Sequence, residues 1–148
     1  MIQSHQKLLR IFAAYIHKMT ELNLDRVDPE ENLTRYILHS NNFSVSHGRV
    51  KYIVFMPAPN GETSVFRISN LLDNEIWGIG DHEVAQKRSQ PLLGRADILA
   101  FHILSNKLKI VPDNTPLRHA NITGWPIEKS EQKLVAMELA ENAQLHLR

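Results

Sequence analysis

Two short polar runs hold the residues best suited to chemistry: Gly94-Arg95-Ala96-Asp97-Ile98 and Arg118-His119-Ala120-Asn121-Ile122-Thr123-Gly124-Trp125-Pro126. Arg95 and Arg118 each offer a planar fork of N–H donors that matches a carboxylate or phosphate. His119 can exchange a proton near neutral pH, Asn121 can hydrogen-bond a polar ligand, and Trp125 can wall a pocket. Arg67 adds a third cation if its face of the chain meets the Arg95 region. These types predict a small-anion binding site drawn from Arg67, Arg95, Asp97, Arg118, His119, Asn121 and Trp125. The same residues also have an ordinary structural use. Arg95 and Asp97 would tie a loop to a helix start, His119 and Asn121 would satisfy backbone groups at a sheet edge, and Trp125-Pro126 would anchor the final helix.

Other constellations are incomplete. His82-Glu83-Val84-Ala85-Gln86 begins like a zinc-protease helix, but Gln86 stands where the second histidine belongs. Gly78-Ile79-Gly80 is a fragment of a dinucleotide fingerprint whose third glycine is replaced by Glu83. Ser64, His119 and Asp97 supply the residue types of a nucleophilic triad, which only geometry can establish, and no Gly-x-Ser-x-Gly elbow surrounds any serine. The eight histidines are scattered without metal-ligand spacing, so neither a metal nor a cofactor is expected.

Composition narrows the rest. The chain has 148 residues, 43% of them hydrophobic. That suits one domain burying roughly 70% of the surface its unfolded form exposes. Seventeen basic and sixteen acidic residues leave a net charge of +1. The longest basic cluster is Lys87-Arg88, so nothing argues for a phosphate-dominated nucleic-acid interface. The absence of cysteine removes disulfides, thiolate metal sites and cysteine nucleophiles. The apolar run at 11–16 is too short for a membrane span and lacks a signal-peptide pattern. The reading is a soluble, cytoplasmic chain.

The elements that must position the polar runs follow from periodicity. Leu8, Leu9, Phe12, Tyr15, Ile16, Met19 and Leu22 fall on one side of a helix over 4–22. Asp28-Pro29-Glu30-Glu31 reads as the capped, acidic start of a second helix, which residues 35–39 either continue or replace with a strand. Val, Ile, Tyr and Phe enrich 49–56 and 62–69, joined by Pro57-Ala58-Pro59-Asn60-Gly61, which predicts an antiparallel hairpin with an exposed edge able to pair with a second copy. A helix over 73–88 follows, where Gly78 and Gly80 imply close packing. Asp97 is placed to cap a helix over 98–104 ending at Asn106, and 108–111 to form a strand. Residues 120–123 add an edge strand. Ser130 caps the last helix, with Val135, Ala136, Leu139, Ala140, Ala143 and Leu147 as its buried stripe. The predicted fold is α+β: a small mixed or antiparallel sheet with about five helices gathered mainly on one side.

Ser64-Val65-Phe66-Arg67-Ile68, Glu75-Ile76-Trp77-Gly78-Ile79-Gly80, Gly94-Arg95-Ala96-Asp97-Ile98 and His119-Ala120-Asn121-Ile122-Thr123-Gly124-Trp125-Pro126 together resemble a group of short uncharacterised bacterial proteins, of the kind carried by mobile elements or gene cassettes. The resemblance covers about residues 35–143 and implies a bacterial single-domain product. It transfers no activity. Two functions stand side by side. One is a binding or accessory module for a protein or a small anionic ligand. The other is an enzyme acting on a nucleotide or phosphate ester, with His119 as acid or base, Arg95 and Arg118 stabilising charge, and Asp97 orienting a partner.

Overall fold

A computed structural model describes residues 4–11 and 22–148. Its centre is a six-stranded, wholly antiparallel sheet in the order β6-β7-β4-β1-β5-β8. The strands are β1 (Asn32–Ile37), β4 (Thr63–Arg67), β5 (Gly94–Leu99), β6 (Lys109–Pro112), β7 (His119–Thr123) and β8 (Gln144–Leu147). The short strands β2 (Phe43–Ser44) and β3 (Arg49–Val50) pair separately. Helices are α1 (residues 4–11), α2 (Asp73–Gly80), α3 (Ala100–Ser105) and α4 (Lys129–Glu141). Beyond Gly80, α2 widens into a π-helical stretch, Asp81–Ala85, and closes with the turn Gln86–Arg88.

Strand alternation gives the sheet two apolar faces. Leu33, Ile37, Val65, Ala96, Ile98, Ala120 and Ile122 form a core with Ala136, Leu139 and Ala140 of α4 and with Ala100 and Ile103 of α3. Tyr36 and Phe66 point the other way and pack with Ile76 and Ala85 from α2 and its extension. Helices therefore cover both faces, with α3 and α4 on one and α2 with its extension on the other, where a gathering mainly on one side was expected.

Several predicted elements differ for tertiary reasons. Asp28-Pro29-Glu30-Glu31 forms a turn that runs straight into β1, not a helix. The Glu31 carboxylate accepts from the Asp28 N–H and also receives Arg67, which fixes the turn. No hairpin joins 49–56 to 62–69. Residues Tyr52–Val54 form a 3₁₀ turn that delivers Val54 and Phe55 to the α4-side core, while β4 sits between β1 and β7. The proline-rich segment reverses the chain but cannot choose its neighbour. The sheet edges are β6 and β8 instead.

Asp97 lies within β5 opposite Thr34 and does not cap α3. The left-handed residue after α3 is Lys107, with φ 63°, and not Asn106. β7 is internal, between β6 and β4. The last helix stops at Glu141, so Leu147 belongs to β8 and is 45% exposed. In α1, Leu8 and Leu9 are exposed, against the packed face expected of them; Phe12, Tyr15, Ile16 and Met19 lie outside the described residues. No helix among the described residues is long and apolar enough to cross a membrane.

Candidate functional site

The pairings Ser64 with Asn121 and Phe66 with His119 bring four side chains to the α2 face of the sheet. Ser64 and His119 are diagonal neighbours there. His119 Nε2 lies 2.5 Å from Ser64 Oγ, and Nδ1 lies 2.7 Å from Asp113 Oδ1. Asn121 Nδ2 donates to the second Asp113 oxygen at 3.1 Å. The loop carrying Asp113 is pinned to the same histidine, because the N–H groups of Asp113 and Asn114 both donate to the His119 carbonyl. The Phe66 ring stands edge-on against the imidazole, with centroids 5.2 Å apart, and restricts its rotation.

This arrangement orders the proton positions. A neutral imidazole that donates Nδ1–H to Asp113 presents the Nε2 lone pair to the Ser64 hydroxyl. Partial burial pushes the Asp113 carboxyl up, but hydrogen bonds from His119 and the Thr115 backbone, the His119 charge and the Asn121 amide together hold it below its usual value.

A cleft of about 240 Å³ opens beside this relay. Ser64, His119 and Arg35 line its sheet side, Glu83, Lys87 and Arg88 its helix side, with Pro116 at the loop. The widened π-helical turn resets the angular position of every residue after it and so bears on how Lys87 and Arg88 face the sheet. Lys87 is paired with Glu83 at 2.8 Å. Arg35 donates to the carbonyls of Val54 and Ser64, and neither Arg35 nor Arg88 has an ion-paired carboxylate among the described residues. Burial, reinforced by the Arg88 charge, pushes Arg35 down to about 10. It remains a cation at neutral pH. Two guanidinium groups, a half-buried Arg35 and an exposed Arg88, thus face one cleft from its two sides with no carboxylate paired to either among the described residues.

The sequence-predicted residues divide among three places. His119 and Asn121 belong to the relay. Arg67 is fully buried on the α4 face, where its donors go to both Glu31 oxygens and to the carbonyls of Asn23 and Arg26. Arg118 directs a guanidinium nitrogen to the Arg67 carbonyl at 3.0 Å. Arg95 is also buried but on the α2 face, bound to Asp97 and Asp73 and lying 4.5 Å from the Trp77 ring centroid. His146 of β8 meets the same Asp97 carboxylate. Arg67 and Arg95 therefore project from opposite faces, and the three arginines do not converge. Two strands also separate Arg95 and Asp97 on β5 from His119 on β7, a span of roughly 14 Å. Trp125 packs on the α4-side core, away from the relay.

Asp113, not Asp97, is the carboxylate on His119. It stood in Pro112-Asp113-Asn114, which reads locally only as a turn. Lys87-Arg88 was visible as the longest basic cluster, but Arg35 carried no signal of its own. Among the described residues, no three His, Asp or Glu side chains gather as metal ligands. No protein-family model, curated protein or solved structure matches the chain.

Proposed function

We propose that the protein binds a small anionic ligand, bearing a phosphate or carboxylate, in the cleft between β4, β7 and the end of the α2 extension. The observation that carries this reading is the Arg35–Arg88 pair: two cations facing each other across one cleft, one of them half-buried, with no carboxylate paired to either among the described residues. An anion seated there offsets their repulsion and receives planar donor forks. Ser64 and His119 supply the polar contacts that orient it. On this reading the protein is a cytoplasmic ligand-binding or accessory module.

A ligand that binds only the folded state raises its stability, by about 2.7 kcal/mol at a hundred times its dissociation constant. We expect inorganic phosphate to raise the melting temperature of the wild type relative to chloride of equal ionic strength. Arg88→Ala removes that increment. Because Arg88 acts against Arg35, the variant's melting temperature without phosphate is expected to be no lower than that of the wild type. An equal phosphate effect in both proteins is the generic action of an excluded salt and contradicts the proposal, as does no effect in either.

A further inference from the structure

We propose that Ser64 is a nucleophile activated by His119, with Asp113 as the positioning residue, and that the natural ligand is a carboxylic ester of an acidic molecule, cleaved by acyl transfer. The inference rests on the anion-binding reading for the acidic group of the substrate and on separate geometry for the chemistry. That geometry is the sequence of contacts Asp113 Oδ1 to His119 Nδ1 at 2.7 Å and His119 Nε2 to Ser64 Oγ at 2.5 Å, with the serine and histidine both opening into the cleft. In such a chain the carboxylate fixes the tautomer and the imidazole takes the hydroxyl proton.

The step balances without a co-reactant other than water. Ser64 Oγ attacks the ester carbonyl carbon as its proton passes to His119 Nε2, and the carbonyl electron pair moves to oxygen. Collapse of this tetrahedral species breaks the bond to the alcohol oxygen, which leaves with the proton from His119. Water then attacks the acyl-serine, giving its proton to His119, and collapse returns that proton to Ser64 and releases the carboxylic acid. Hydrolases of this kind commonly hold the oxyanion with backbone N–H groups at a sharp strand-to-helix turn. Ser64 sits instead in an internal strand flanked by β1 and β7. The cation available for the developing charge, outside the Arg35–Arg88 anion site, is Lys87 on the helix side of the cleft.

An alkyl fluorophosphonate tests the nucleophile without using the anion site, since the probe carries no acidic group. Intact-mass and peptide analysis should find one adduct, on Ser64, absent from Ser64→Ala. Labelling should slow by about a hundredfold or more in His119→Gln, slow in Asp113→Asn, and recover in part in Asp113→Glu, which a merely structural role for Asp113 would not produce. Phosphate should protect the wild type but not Arg88→Ala. No adduct on Ser64, or equal rates in wild type and His119→Gln, overturns the nucleophile while leaving phosphate binding intact. Labelling that phosphate never slows overturns the acidic-ester assignment and, with it, the shared anion site.

Discussion

Asp113 holds its carboxylate in partial exposure, and its bonds to His119, Thr115 and Asn121 outweigh the cost of burial. A carboxyl whose folded value is lowered contributes stability in full above its unfolded value, near ~3.9. That contribution is lost as the pH falls through the lower folded value. Asp73, held down by the Arg95 hydrogen bond first and its charge second, behaves in the same sense. Urea midpoints followed between about pH 5 and pH 2 should therefore fall less steeply for Asp113→Asn than for the wild type. Parallel acid limbs would show that the carboxylate gains nothing from its partners. At this scale the sequence showed the right chemical types in Ser64 and His119 but the wrong acid. Asp97, grouped with them by residue type alone, has its carboxylate claimed by Arg95 and His146. Asp113 reaches His119 only because its loop folds back over β7, and loop paths leave little trace in local composition.

The two glycines of α2 were expected to mark close packing, and they differ. An added Cβ at Gly80 would meet the Tyr36 ring at 2.6 Å and Leu92 at 2.7 Å, whereas one at Gly78 meets nothing within 4 Å. Tyr36 cannot swing aside, since its hydroxyl donates to the Ile76 carbonyl and its ring leans on Phe66. Burial also pushes its phenol well above the ordinary value, so it remains a neutral donor. Gly80→Ala should cost roughly 1–3 kcal/mol from overpacking. Gly78→Ala should gain up to about 1 kcal/mol from helix propensity. Chemical denaturation of the pair checks both signs, and equal changes would contradict the packing described. Helix α2 and the last helix were legible because their apolar spacing is local. The strand partners were not, since β4 pairs with residues 32 positions before and 57 positions after its own, as the Thr34–Phe66 and Ser64–Asn121 registers require.

Over the whole molecule, two unlike faces are separated by one sheet. The α4 side is an apolar core closed by Leu139, Ala136 and Phe55. The α2 side is apolar beneath Ile76 but turns polar toward Ser64 and His119, where the helix extension leaves a cleft. Arg35 and Arg88 meet there from segments 53 positions apart, which no local motif announces. Arg67, by contrast, was identified as a ligand-binding cation but serves as a buried tie between β4 and the turn at Glu31. The central claim, that an anion sits between Arg35 and Arg88, is tested most directly by following backbone amide resonances of the intact protein as inorganic phosphate is added. The structure predicts saturable shifts at Arg35, Ser64, His119 and residues 83–88, with Glu31 and Arg67 unmoved. Shifts centred on Arg67 and Arg118 or on Arg95 and Asp97, or no saturable shift at all, would contradict it.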